Sequence, residues 1–334
     1  MFGYICTVQK FMEQYIYGID HGNGNIKTAR TVFPCGFTKQ QIKPAGIFAE
    51  DVISYKGNYY ILNSNRFPYT VDKSKDENCF ILTLFAFAKE IKKRVEESGV
   101  KWKDFKGFVG KDVVLAGGLP PAYYEKQEQS FRKYFVDNAK YGVDFTYNEK
   151  PFSFHIKDVR LYPQDYAAAI IFKEELISKY STVYCVDIGD GTVDLLGLLE
   201  GIPDKNVIVS RELGMARLRE KIIDDVINDY AYTLDSKIIE DVLTPGKETV
   251  LDYEITEKIR RHTREWTMQI VNVLHAKVPD FRIAPTIFTG GGSNLLKPYL
   301  LDSGFFGKAE FIHEINANAV GYEELAKIEL SQEV

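Results

Sequence analysis

The sequence predicts an α/β protein made of two related halves, and three observations carry that reading. Runs rich in β-branched and aromatic residues alternate with helix-period segments along the chain. A turn of the form D-x-G-x-G follows such a run twice, as Asp20-His-Gly-Asn-Gly24 and as Asp187-Ile-Gly-Asp-Gly191. The two aspartates are 187 − 20 = 167 residues apart, half of the 334-residue chain. Self-similarity at one fixed spacing of this size points to a duplicated domain.

The elements follow in order. The first firm strand is read at Tyr15–Ile19 and ends in the Asp20 turn, after which the apolar run Ile26–Phe33 completes a hairpin. Residues 36–75 read as polar, aromatic and loop-rich, with a short strand at Tyr59–Leu62. Asn78–Glu97 reads as a helix whose start, Phe80–Ala88, is buried. A buried strand through Val113–Ala116 ends in Gly117-Gly-Leu-Pro-Pro121, and the prolines start a helix to about Val136. Val143–Ile156 reads as a hairpin around Asn148-Glu149, Val159–Tyr162 as a further short strand, and Gln164–Lys179 as an Ala-rich helix. In the second half Thr182–Val186 and Val193–Leu199 flank the Asp187 turn. Helices are read at Leu213–Tyr230, Thr256–Lys277 and Ala319–Leu330. The strand Pro285–Thr289 is closed by Gly290-Gly-Gly-Ser293, read as a third glycine turn. Met12 just before the first strand leaves open whether residues 1–11 are a true extension.

Composition narrows the function classes. Hydrophobic residues make up 45% and charged residues 27% of the chain, which excludes a mainly disordered or collagen-like protein. With 42 Lys and Arg against 47 Asp and Glu, the net charge is −5, so no global attraction draws the chain to nucleic acid. The 21 Tyr and 22 Phe are read first as core. Cys6, Cys35, Cys79 and Cys185 show no C-x-x-C spacing and no disulfide framework, so a reducing cytoplasm is the expected location. No apolar run is long enough for a membrane-spanning helix, and the N-terminus lacks the basic region of a signal peptide.

The glycine turns suggest the chemistry. A tight turn presents backbone N–H groups that cradle phosphate oxygens. Two such turns facing each other would clamp the β- and γ-phosphates of a nucleotide, with Asp20 and Asp187 beside them. Carboxylates there hold Mg²⁺ through its waters, because Mg²⁺ dehydrates reluctantly. Lys27 would neutralise phosphate charge as a point cation. Gly290, Gly291, Gly292 and Ser293 would let the adenosine or the α-phosphate approach the backbone. Taken singly, each turn is more simply an ordinary hairpin connection; the paired copies weaken that explanation. No Walker A loop and no G-x-G-x-x-G fingerprint is present.

Asp20-x-Gly-x-Gly-x-x-Lys27, Asp187-x-Gly-Asp-Gly-Thr192 and Gly290-Gly-Gly-Ser293, in that order, resemble the phosphate-1, phosphate-2 and adenosine motifs of the actin/Hsp70/sugar-kinase ATPase superfamily. The resemblance runs from about residue 15 to 330. It is similar in particular to the bacterial actin-like plasmid-segregation proteins of the ParM/StbA type. Ile26-Lys-Thr28, Val32-Phe-Pro34, Gly118-Leu-Pro120 and Asp158-Val-Arg-Leu-Tyr-Pro-Gln164 carry that closer likeness.

The resemblance implies an actin-like two-domain ATPase fold, each half a mixed sheet flanked by helices around a central nucleotide cleft. It places domain I at 1–180, with a core of about 12–34 and 109–180, an inserted subdomain of about 35–108, and the last helix, 319–330, packed back onto it. Domain II would be 181–318, with an insertion of about 212–265. It implies that Gln164 orients the attacking water, where the family often has Glu and actin has Gln. Gly22, Asn23, Gly24, Asn25 and Lys27 would bind phosphate from one side, and Gly189, Gly191 and Thr192 from the other. Asp190 would help to place water or metal, and Arg217 and Lys221 are candidates for the nucleoside. Mg²⁺ with ATP or GTP, head-to-tail self-association into filaments and a DNA-binding adaptor of ParR type are the implied ligands and partners. Direct binding to nucleic acid or membrane is not expected.

The expected function is therefore a filament-forming NTPase that polymerises with ATP or GTP, disassembles after hydrolysis and segregates plasmid or other DNA. A small-molecule kinase of the same fold and a scaffold that binds nucleotide without turnover remain as alternatives. A chaperone-like regulator fits less well, because no further substrate domain follows the last helix.

Overall fold

The computed structural model describes residues 15–44, 51–68 and 70–333. The question of residues 1–11, with Met12 and Cys6, lies outside them. Two compact units divide the chain: one holds the residues up to Leu119, Tyr123–Ile171 and Asn318 onward, the other Pro120–Ala122 and Phe172–Ala317.

The first unit is built on one nine-stranded sheet. Its strands are β1 (Ile16–His21), β2 (Asn25–Thr28), β3 (Val32–Pro34), β4 (Phe37–Gln40), β5 (Val52–Tyr55), β6 (Asn58–Leu62), β7 (Phe108–Leu119), β8 (Val143–Tyr147) and β9 (Lys150–Pro163), in the order β3-β2-β1-β7-β9-β8-β5-β6-β4. The apolar run after the first turn is two strands, since the chain folds back at Thr28, whose N–H donates to the Thr31 carbonyl. The stretch read as loop-rich supplies β4, β5 and β6, and these join the main sheet through β5 and β8. Short strands with mixed burial leave little periodicity to read. Val159–Tyr162 is not a separate strand but the continuation of β9, which pairs in parallel with β7 along its length. Asn148 and Glu149 form the two-residue β8–β9 turn, both at positive φ, as a tight hairpin of this type requires.

Four helices complete this unit: α1 (Glu77–Glu97), α2 (Pro121–Asn138), α3 (Tyr166–Phe172) and, at the end of the chain, Ala317–Gln332. Asp76 caps α1 by accepting from the Asn78 N–H at 2.9 Å, and every residue from Cys79 to Ala88 is buried. A helix apolar all round belongs inside a core, and there its Phe87 ring packs against Tyr17 of β1 and Phe154 of β9. The closing helix packs where the sheet offers no side chains. A Cβ on Gly118 would lie 2.1 Å from the Tyr322 hydroxyl, and one on Gly18 2.0 Å from the Ala319 carbonyl oxygen.

The second unit repeats the inner part of that plan. The helix read across Gln164–Lys179 is two helices, α3 and α4 (Glu174–Lys179), interrupted at Lys173. Then come β10 (Thr182–Ile188), β11 (Val193–Leu199), β12 (Ile202–Arg211), α5 (Met215–Tyr230), α6 (Ser236–Leu243), α7 (Tyr253–His275), β13 (Pro285–Thr289), α8 (Gly290–Asp302) and β14 (Lys308–Phe311). The closing helix is α9. The sheet order is β12-β11-β10-β13-β14. An antiparallel three-strand meander followed by two parallel strands, β3-β2-β1-β7-β9, occurs in the first unit as well. This matched order is the duplication signalled by the 167-residue spacing. Leu218, Ile222, Ile259, Ile270 and Phe288 lie in its core.

The structure corrects one element with functional weight. Gly290-Gly-Gly-Ser293 is not a loop: it is the first turn of α8.

Candidate functional site

In the first unit, β1 and β2 form the hairpin whose tip is Gly22-Asn23-Gly24, and its register sets Asp20 directly opposite Lys27. The Lys27 ammonium lies 3.0 Å from Asp20 Oδ2, with Asp20 almost fully buried. Gln164 follows β9, and its Nε2 donates to Asp20 Oδ1 at 3.4 Å. A carboxylate only accepts, so this contact turns the amide one way round. The Gln164 carbonyl oxygen is left as an acceptor with no donor among the described residues. The N–H groups of Gly22, Asn23 and Gly24 have no acceptor among the described residues either. The Gly24 carbonyl, in contrast, is held by the Cys35 N–H at 3.2 Å.

His21 anchors the base of this turn. Its Nε2 lies 2.8 Å from the Thr83 hydroxyl of α1, which itself donates to the Cys79 carbonyl. Burial, and secondarily the charge of Lys73, pushes the imidazole down to about 3, so His21 is a neutral structural ring at physiological pH.

The second turn is tied down differently. Gly189 N–H closes it on the Thr192 carbonyl at 2.9 Å. The N–H groups of Met215 and Ala216, at the start of α5, donate to the carbonyls of Gly189 and Asp190, and the Gly214 N–H donates to that of Gly191. The turn's carbonyls are thus spent on α5, while the N–H groups of Asp190, Gly191 and Thr192 keep no acceptor among the described residues. Asp190, read as a residue that would help to place water or metal, binds the guanidinium of buried Arg219 through Oδ1, and that guanidinium also reaches Glu240 at 3.2 Å. Thr192 donates from its hydroxyl to Asp194 at 2.7 Å. Asp194 stands opposite Asp187 in the β10–β11 register. Burial pushes its carboxyl up to about 7, with the Ser210 and Thr192 hydroxyls opposing and the Asp187 charge adding to the rise.

Gly290, at the first position of α8, has φ +85°, and a Cβ there would lie 2.0 Å from Asp187 Oδ1. A Cβ on Gly292 would meet Ile188 and Met215, both under 3 Å away. These two glycines therefore let helix, strand and carboxylate close together; Gly291 has open space beside it. No side chain caps α8, so its first N–H groups face outward from the helix end. Ser293 is buried, and its hydroxyl donates back to the Thr289 carbonyl.

The structure thus brings Asp20, the Gly22–Asn25 turn, Lys27 and Gln164 together in one unit. In the other it brings together Asp187, Gly189, Asp190, Gly191, Thr192 and Gly290–Ser293. Arg217 and Lys221 stand apart on the exposed side of α5, Arg217 paired with Glu212. The buried stripe of α5 is Met215, Leu218, Arg219, Ile222 and Val226, so the arginine that meets the turn is Arg219. A cation standing at i, i+3, i+4 spacing with apolar residues was the signal that marked it. Asp194 had the weaker signal of closing the second motif four residues after Asp190.

Among the described residues no group of three or more His, Cys, Asp or Glu forms a ready metal cage. Mg²⁺ commonly keeps several waters and takes one or two carboxylates plus phosphate oxygens. Asp20 in one unit and Asp187 in the other each offer a single strand-end carboxylate, which suits that mode of binding.

No protein-family model matches the chain, and no curated protein does. Solved structures do. An archaeal actin homologue, Ta0583, in complex with ADP, superposes with a TM-score of 0.71 at 17% identity, covering 94% of this chain and 99% of that one. A 15-stranded ParM filament from Clostridium botulinum gives 0.71 at 16%, covering 94% and 99%. The actin-like protein Alp7A gives 0.71 at 16%, covering 95% and 97%. The chain therefore has the actin-like α/β fold. ParM and Alp proteins are among those that share it.

Proposed function

We propose that this protein is an actin-like NTPase that assembles into filaments with a nucleoside triphosphate and Mg²⁺ and disassembles after hydrolysis. One observation supports it most: each unit holds a glycine turn with three backbone N–H groups lacking an acceptor among the described residues, beside a strand-end aspartate. Unspent amide donors converging on a tight turn are an anion site. The filament structures among its fold relatives support self-association. Among the described residues no helix is long and apolar enough to cross a membrane.

In this reading Gly22–Gly24 and Asp190–Thr192 bind phosphate oxygens through their N–H groups. Bound Mg²⁺ would neutralise phosphate charge, held through water by a strand-end carboxylate, Asp20 in one unit or Asp187 in the other. Asp20 also fixes the Gln164 amide, whose carbonyl oxygen accepts a hydrogen bond from the attacking water. An amide orients water without taking its proton efficiently, which suits slow turnover. The cellular role proposed is segregation of plasmid or other DNA, reached through an adaptor of ParR type in keeping with the net charge of −5.

Gln164 supplies the test. Water orientation matters for cleavage and not for binding, so Gln164→Ala should assemble with triphosphate yet release phosphate on the order of 100-fold more slowly. Its filaments should outlive those of the wild type in a light-scattering decay. Unchanged turnover, or loss of nucleotide binding, would remove Gln164 from this role.

A further inference from the structure

The first glycine turn has a charge problem. Its lysine, Lys27, is committed to Asp20 at 3.0 Å, so its ammonium is already paired before any phosphate binds. His21 beside it is neutral. Beside Mg²⁺, a polyphosphate bound at this turn would therefore draw its side-chain cation from elsewhere.

The chain supplies one from the segment before α1. Lys73 and Lys75 share a short 3-10 turn (Lys73–Lys75) whose cap, Asp72, accepts from the Ser74 N–H at 3.2 Å and the Ser74 hydroxyl at 2.6 Å. Lys75 pairs with Asp72 at 2.9 Å and is otherwise exposed. Lys73 is partly buried and makes no ion pair or side-chain hydrogen bond among the described residues. It lines a cavity of about 20 Å³ with His21, Gly22, Asn23, Cys35 and Cys79. That is room for one water.

Its charge is felt on the cavity wall. Lys73 adds to burial in pushing His21 down, and it pulls the Cys35 and Cys79 thiols down against a larger rise from burial. Asp76 also lines the cavity, but its Oδ1 accepts from the Asn78 N–H at the start of α1. A lysine ordinarily carries its ammonium to water or to a carboxylate. Lys73 instead makes no ion pair among the described residues, and it lines a cavity shared with Gly22 and Asn23 of a turn that has three unspent N–H donors.

We propose that Lys73 is a phosphate-contacting residue of the first glycine turn, supplying the point charge that Lys27, paired with Asp20, does not. This rests on the nucleotide reading above. The turn's N–H groups fix the phosphate oxygens, and Lys73 neutralises the charge they carry, most strongly for a triphosphate.

The test uses the full chain and measures binding of ATP, GTP and ADP by competition against a fluorescent triphosphate analogue. Lys73→Met should weaken triphosphate binding by about tenfold or more, with ADP affected less. Lys73→Arg should retain most of the affinity, and the melting temperature of both variants should match the wild type. Lys75→Met is the control for overall charge and should bind as the wild type does. If the wild type binds nucleotide and Lys73→Met binds equally well, the assignment is overturned while the nucleotide reading stands. An equal loss in Lys75→Met would overturn it too. If the wild type binds no nucleotide, the nucleotide reading fails, and the assignment fails with it. Should Lys73→Met melt early, Lys73→Arg decides: wild-type stability with strong binding supports the role, and wild-type stability with lost binding contradicts it.

Discussion

Asp20→Asn and Asp187→Asn should each cut phosphate release by roughly 100-fold or more. The substitution keeps the volume and removes one negative charge. At Asp20 it alters two contacts at once, the 3.0 Å pair with Lys27 and the 3.4 Å acceptor that turns the Gln164 amide. The variant therefore loses a Mg²⁺-organising charge and the orientation of the water-binding group together. At Asp187 the carboxylate lies against the Gly290 backbone and opposite Asp194, whose raised carboxyl cannot take over its charge fully near neutral pH. Each aspartate belongs to a different unit, so neither substitution should be rescued by the other cradle. Phosphate release measured with excess ATP and GTP decides it. Two variants with wild-type rates would show that these turns do not act on a nucleotide.

Gly290→Ala should be the most damaging single-methyl change near the site. The residue holds φ +85°, which costs an L side chain about 1 to 2 kcal/mol. Its new methyl would stand 2.0 Å from Asp187 Oδ1 and 2.6 Å from the Ile188 carbonyl oxygen. Relieving that overlap means moving the strand end or turning the Asp187 carboxylate, at a further 1 to 3 kcal/mol or so. A loss of roughly 2 to 5 kcal/mol in unfolding stability is expected, with nucleotide binding weakened in whatever protein remains folded. Gly291→Ala, where nothing lies within 4 Å of the added methyl, is the matched control and should be close to neutral. Chemical denaturation of both variants measures the difference. Equal stability of the two would mean that α8 does not close on Asp187 as the structure has it.

The parts of the fold legible in the sequence are those with strong local signals. The two Asp-led hairpins, β11 and β13 were readable because β-rich runs there meet glycine turns. α1, α5 and α7 were readable from long apolar periodicity. β4, β5 and β14 are short and mostly half-exposed, so their pairing partners define them rather than their own pattern. The break at Lys173 had no proline or glycine to announce it. Gly290–Gly292 misled because a glycine run reads as a loop, whereas here close packing against Ile188 and Asp187 calls for it at a helix start. Within the site, the motif residues around each turn were legible in order. Arg219 and Asp194 were not, since their roles arise from which face of α5 is buried and which residues stand across a strand pair. Arg217 and Lys221 lie on the exposed face of the same helix.

Assembly that depends on the bound nucleotide is the central claim. A ligand shifts an equilibrium only by its differential affinity for the two states, and about 1.4 kcal/mol per subunit already changes the constant tenfold. The direct measurement is sedimentation with electron microscopy of the purified chain in Mg²⁺ with ATP, GTP, ADP or no nucleotide. Polymer should form with a triphosphate, decline as it is consumed, and be much sparser with ADP. A protein that stays monomeric with every nucleotide, well above micromolar concentration and in several salts, would contradict the filament reading and favour a kinase of the same fold.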